Sequence, residues 1–352
     1  YNALYEAYNK AVLRSLFIHS GPLLTAKGEF RFIEKTINGT SDAPVHVYEN
    51  NVTALPPDLS ARRVPLCFVS GMEKGDFSLT LKLNTGESYT FSRLGYETVP
   101  FADAVEKQIH TLRGKTLAAV KEIDPALSAM QTSKIVHIMP QGAAAPIGQL
   151  MAVAPSFVSA LETKLNNTRA AECYKVFREL CDPSAIYIGF RKNETGADSA
   201  GGHFLSGLQN LSGGGEDAIS DNLPGDAGYA DSESAKAAPP DPYLLWLIAP
   251  SPDGRYAAVD FAETGAATFV YKTRGDFDEF ARQLNRALEA ISFRREVIRL
   301  SDEELNKPEN TDYYMAAKRT ASVQFIRSGF AGRVIHSNVE SWKRKLSEIY
   351  NT

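Results

Sequence analysis

The sequence predicts an α+β protein. It reads as a tandem duplication of one antiparallel-sheet unit closed by a long amphipathic helix, with a further β-hairpin and terminal helix in each unit. Three observations lead there. Residues 78–122 and 256–299 carry the same features in the same order: an alternating strand, a Thr-Gly turn (Thr85-Gly86 and Thr264-Gly265), a second alternating strand and a helix opening near a Phe (Phe101 and Phe277). Residues 132–165 and 319–349 rhyme as well, each read as strand, Gly-containing turn, strand and a terminal helix with an aromatic (Phe157 and Trp342). Upstream, a helix followed by a strand over 4–21 answers the same pair over 172–190. Repeats at a fixed order of features set architecture before any single element does. The first unit is expected over 1–170 and the second over 171–352.

Each element has a local reason. Tyr243 to Ala249 is apolar, and Pro252-Asp253-Gly254 separates it from the alternating 256–261. That turn chemistry predicts a hairpin. Asp276 is a good N-cap, with Glu279 three residues on. Phe277, Phe280, Ala281, Leu284, Leu288 and Ile291 then recur at three and four, making one buried stripe, with Gln283, Asn285, Arg286 and Glu289 off it. In the first unit Pro100 stands near a helix start. Phe101, Val105, Ile109 and Leu112 form the matching stripe. Strands joined by tight turns pair antiparallel, and a helix that is apolar on one side covers the sheet. This pattern looks broadly like a pleckstrin-homology-type half-barrel. It is an architectural analogy, carried by strand–strand–helix order, and no phosphoinositide motif accompanies it.

Residues 194–241 differ. They are rich in Gly, Ser, Ala, Asp and Pro, with nine acids and one Lys. Such composition predicts a flexible acidic insert in the second unit. The chain of 352 residues has a formal charge of −4. The insert contributes −8 of it, so the rest is mildly basic.

Chemistry-bearing motifs are sparse. Arg113-Gly114-Lys115-Thr116 lacks the first glycine of a phosphate loop, and it does not open a helix. There is no HExxH and no Gly-x-Ser-x-Gly. His137 and His336 alternate with apolar neighbours and read as hydrogen-bonded strand residues. Cys67, Cys173 and Cys181 give no disulfide framework. Cys173 and Cys181 are eight apart in a predicted helix, about 12 Å along its axis. Buried free thiols are expected, and no metal site or cofactor.

One enzymatic pattern is present. Asp260 lies in AAVDF and Lys272 ends TFVYK, followed by a helix and an expected strand from Arg295 to Leu300. This order resembles the PD-(D/E)xK nucleases over about 45 residues. The resemblance implies a Mg²⁺-dependent hydrolase using Asp260, Glu263 and Lys272. Val270 stands where the second metal-binding acid belongs, which implies a degenerate site unless Glu263 replaces it.

Basic residues gather toward the C-terminus. Lys318, Arg319, Arg327 and Arg333 are the candidates for an anion- or partner-binding patch. Lys27, Arg31 and Lys35 alternate along a strand region and could act similarly. No apolar run approaches the roughly 20 residues that span a bilayer. The leading expectation is a non-enzymatic binding or scaffold module, cytoplasmic, that takes a protein partner or another copy of itself. An anionic lipid or nucleic acid is the alternative ligand.

Overall fold

The computed structural model describes residues 2–34, 37–168, 170–192, 242–262, 267–336 and 338–351. The chain opens with α1 (Asn2–Ser15) and a run of strands: β1 (Leu24–Glu34), β2 (Ile37–Val47), β3 (Asn51–Ala54), β4 (Arg62–Pro65), β5 (Val69–Gly75), β6 (Ser78–Leu83) and β7 (Ser88–Ser92). Helix α2 (Thr98–Ile123) follows, then α3 (Ala129–Ile138), β8 (Ala145–Pro146), α4 (Ile147–Val153), α5 (Pro155–Asn166), α6 (Ala170–Leu180) and β9 (Tyr187–Lys192). The C-terminal part holds β10 (Tyr243–Pro250), β11 (Tyr256–Phe261), β12 (Ala267–Lys272) and α7 (Phe277–Ala290). It ends with α8 (Glu296–Arg299), α9 (Asp302–Leu305), α10 (Thr311–Arg319), α11 (Ala321–Ser328), β13 (Phe330–Ile335) and α12 (Val339–Tyr350). The molecule is therefore mixed α+β with two antiparallel sheets.

The first sheet has seven strands in the order β4-β3-β2-β1-β7-β6-β5. Phe30, Phe91, Leu79, Leu81 and Val45 meet on its inner face, and α2 lays Phe101, Ala102, Val105 and Leu112 across them. The Phe91 and Phe101 rings stand 5.2 Å apart. The same helix then runs on, so that Val120 and Ile123 enter a different core.

The second sheet has six strands in the order β13-β12-β11-β10-β9-β8. Helices cover both of its faces. Along β10, Tyr243, Leu245, Leu247 and Ala249 point into a core formed with α3, α5, α6 and α12. The alternate residues Leu244, Trp246 and Ile248 point into a core formed with α7, α8, α10 and α11. The period of two is thus kept, but both faces are apolar because both are buried. Strand β8 comes from before residue 170 and pairs with β9 from after it.

The hairpin between β10 and β11 follows the predicted turn. Gly254 adopts φ +71° there, and the Ser251 N–H donates to the Tyr256 carbonyl at 2.8 Å. Helix α7 is capped as expected, the Asp276 carboxylate accepting from the Glu279 N–H at 2.8 Å.

Four expectations are corrected. Residues 132–138, read as a strand, are helix α3. Ser128 and Gln131 form a capping box at its start. Thr132, Ile135, Val136 and Met139 are buried at helical spacing, which outweighs the short apolar alternation. Residues 321–328 are helix α11, burying Ser322, Val323 and Ile326. The further hairpin of each unit is therefore a helix followed by a single strand, β8 or β13. His137 consequently sits exposed on a helix. The segment from Arg295 to Leu300 is no strand. It holds the short helix α8, with Val297 and Ile298 buried and with Arg299 over the Phe269 ring at 4.2 Å.

The last correction concerns α7. Gln283, Asn285, Arg286 and Glu289 lie off its apolar stripe, yet all four are buried. The helix has sheet on both sides, so its polar face meets protein and not water. Arg286 Nε reaches Glu87 at 3.2 Å. Its Nη2 reaches the Tyr89 hydroxyl at 3.3 Å. That hydroxyl donates to Glu34 at 2.7 Å, and Glu34 takes Arg62 at 3.0 Å. Asn285 clasps residue 144, accepting from the Ala144 N–H at 3.0 Å and donating to its carbonyl at 2.9 Å. Arg191 pairs with Glu289 at 2.7 Å. Buried polar groups require partners of this kind.

Candidate functional site

The four basic residues predicted as a patch are dispersed in their contacts. Arg319 is buried at the end of α10, where it donates to the Ser15 hydroxyl. Arg327 fills its donors locally, reaching the Val297 and Leu300 carbonyls at 2.9 and 2.7 Å and Asp302 at 2.5 Å. These two guanidinium groups fix the α8–α9 and α1 surroundings. Lys318 is exposed and lies over the Tyr314 ring at 5.3 Å. Arg333 is exposed on β13, above the Phe269 ring at 5.8 Å. Lys27 and Arg31 are exposed along β1. Glu263, Lys35, the Thr264-Gly265 turn and the insert 194–241 lie outside the described residues.

Asp260 and Lys272 are not brought together. The pairing of β11 with β12 sets Tyr256 opposite Lys272 and Val259 opposite Phe269, which places Asp260 beside Thr268. Asp260 and Lys272 thus stand at opposite ends of one hairpin, about 13 Å apart at the rise of a strand. Lys272 is exposed and Asp260 is 2% exposed. With α8 in place of the last strand, the nuclease arrangement of these two residues is not formed.

Asp260 instead belongs to a different constellation. It shares the inner face of the second sheet with Thr268, whose hydroxyl lies 2.7 Å from Asp260 Oδ2. His336, the first residue after β13, places Nε2 3.1 Å from the same oxygen and 2.8 Å from the Thr268 hydroxyl. Cys173, from the first turn of α6, puts Sγ 3.6 Å from His336 Nε2. The donor atoms of Cys173, Asp260 and His336 all lie within 4.8 Å of one another. Trp342 of α12 donates its indole N–H to the Thr268 hydroxyl at 3.1 Å, and its ring meets the His336 ring edge to face. Burial pushes the Cys173 thiol well above its ordinary range, and the neighbouring Asp260 carboxylate pushes it further.

The sequence carried each member singly: an acid inside the apolar strand AAVDF, a histidine between apolar neighbours, a cysteine on a helix stripe. Nothing in the sequence joined them, because 163 positions separate Cys173 from His336. Only the fold of α6 and β13 around the second sheet brings them together.

A different feature marks the outer strand of that sheet. β13 pairs with β12 on one side and ends the strand order. Phe330 and Ile335 are 45% and 55% exposed on it. β13 itself has a register irregularity opposite Val270 and Tyr271, and the other edges differ from it in length, burial or ion pairing. β4 is buried along its length. β5 has a register irregularity between Val69 and Gly71, and its Glu73 and Lys74 are held in ion pairs with Lys82 and Glu106. β8 is two residues long. Among the described residues no helix is long and apolar enough to cross a membrane. In comparisons with known protein families and with curated proteins, the chain matches none.

Proposed function

We propose that this chain is a non-enzymatic binding module whose partner is an extended protein segment adding a strand to β13. The observation that carries this reading is the composition of that edge: six residues, apolar side chains exposed at Phe330 and Ile335, and the cation Arg333 between them. Native edges are normally shortened, bulged or charged to prevent pairing, as β8 and β5 are. β13 is also irregular near Phe330, but it is six residues long and keeps exposed apolar side chains, which suits strand addition, in which backbone hydrogen bonds give affinity and alternate side chains give selectivity. Arg333 favours a carboxylate on the partner opposite it.

Two further readings belong to this proposal. The run β6, β7, α2 matches β11, β12, α7 in order, and the pair α3, β8 matches α11, β13 in order, which supports a duplication with units over 1–170 and 171–352, although β8 pairs with β9 across that bound. The strand order of the first sheet, with β1 against β7 and α2 across one face, supports the pleckstrin-homology-like analogy.

The test is selection from a displayed library of random peptides on the full chain. Enriched sequences should alternate apolar residues and carry an acid. Binding should fall at least tenfold in Arg333→Glu and in Ile335→Lys, with thermal midpoints unchanged. Enrichment that ignores both substitutions, or binding only to vesicles of anionic lipid, would remove the reading.

A further inference from the structure

We propose that Cys173 Sγ, the Asp260 carboxylate and His336 Nε2 form a three-ligand binding site for a zinc ion. The inference rests on geometry. Tetrahedral zinc, with Zn–S about 2.3 Å and Zn–N about 2.0 Å, holds its sulfur and nitrogen ligands about 3.5 Å apart. The Cys173 Sγ to His336 Nε2 separation is 3.6 Å. Two oxygen or nitrogen ligands at about 2.0 Å stand about 3.3 Å apart, and Asp260 Oδ2 is 3.1 Å from His336 Nε2. The three donors are therefore close enough to share one ion, once the His336 ring turns to aim Nε2 at it, because Sγ now lies almost equally far from Nε2 and Nδ1, at 3.6 and 3.8 Å.

The donor types agree. A thiolate with an imidazole selects zinc or a similar late transition ion over magnesium or calcium, which prefer oxygen. The surroundings also match a metal site. Ligating carboxylates are commonly held by an outer hydrogen bond. Here Thr268 holds Asp260, and Trp342 holds Thr268. Asp260 and Cys173 are nearly sealed, at 2% and 4% exposure. The His336 side chain is 21% exposed, which leaves an entry path and a fourth position for water. On binding, the thiol proton and any proton on Nε2 pass to solvent, so two anionic ligands and one neutral ligand face the dication.

A cysteine nucleophile relayed through histidine does not suit this arrangement. In such a relay the base serves the nucleophile through one ring nitrogen and its orienting acid through the other. Here the carboxylate approaches Nε2, and the thiol lies almost equally far from Nε2 and Nδ1, at 3.6 and 3.8 Å, so neither ring nitrogen is aimed at it. A zinc ion would instead join α6, β11 and the segment after β13, three parts of the chain distant in sequence.

The experiment uses the full chain. Metal-free protein is loaded with Zn²⁺, desalted and assayed for bound metal, and a parallel sample is titrated with Co²⁺. The expected result is an equimolar amount of zinc, and a cobalt spectrum with a thiolate charge-transfer band and tetrahedral ligand-field bands. Cys173→Ser should lose the charge-transfer band while keeping the circular dichroism of the metal-free wild type. Asp260→Asn and His336→Ala should weaken affinity at least tenfold, and Thr268→Val, which removes the hydroxyl beside both Asp260 and His336, by about tenfold or more. Zinc should also raise the thermal midpoint of the wild type in a concentration-dependent way, and not that of Cys173→Ser. Substoichiometric zinc after desalting, or a cobalt spectrum unchanged in Cys173→Ser, would overturn the proposal.

Discussion

Replacing Arg286 by Met tests whether the polar face of α7 holds the two sheets together. The Arg286 side chain is 4% exposed and its partner Glu87 is 9% exposed. Burial opposes the guanidinium charge, but Tyr89, Glu87 and Glu34 outweigh it and hold its pKa above the ordinary value. Methionine has similar length and no donors. It leaves the Glu87 carboxylate buried beside the Tyr89 hydroxyl. Removing one member of a buried pair costs about 3–5 kcal/mol. Glu87 keeps a hydrogen bond from Thr85, so the low end is expected, about 3 kcal/mol. Glu87→Gln keeps the shape and leaves Arg286 its contacts to Tyr89 and the Arg63 carbonyl, costing about 2 kcal/mol. The double substitution removes both charges and should cost about 3 kcal/mol, so the coupling is about 2 kcal/mol. Urea unfolding followed by tryptophan fluorescence measures all three, because Trp246 is enclosed in the second sheet. Additivity within about 0.5 kcal/mol, or a loss below about 1 kcal/mol for Arg286→Met, would refute the argument.

Other outcomes follow from single contacts. In Gly189→Ala the new Cβ would lie 2.3 Å from the Trp246 indole, so it should destabilise by about 2 kcal/mol or more and shift tryptophan emission, whereas unchanged stability would mean the β9–β10 core is looser than described. Asn285→Ala orphans the N–H and the carbonyl of Ala144. It should cost about 2 kcal/mol, and faster hydrogen exchange at Ala144 checks the cause. Burial pushes the thiols of Cys67 and Cys173 well above their ordinary range and that of Cys181 up to about 12. All three should therefore resist a disulfide reagent at pH 8 in the native protein and react together in urea, since only the thiolate attacks. Stoichiometric labelling before unfolding would contradict that.

The sequence by itself determined the local grammar. Asp276 as a cap, Pro252-Asp253-Gly254 as a turn and the alternation through β11 and β12 each depend on residues a few positions apart, so they can be read in one dimension. The stripe of Phe280, Leu284, Leu288 and Ile291 likewise announces a buried face. Short apolar segments were the weak point. Around Ile135 and Ile326 a period of two and a period of 3.6 differ by one or two residues, so alternation alone does not separate strand from helix. Only the tertiary structure decided what the remaining faces meet. Gln283, Asn285, Arg286 and Glu289 look like a solvated surface until the first sheet is placed against them, because polarity specifies a partner's chemistry and not its position in the chain. The same reason separates Asp260 from Lys272, its expected companion, and joins it to Cys173 and His336. A strand's register and a helix's docking fix which side chains converge, and both are set by the packing of cores that distant segments build together.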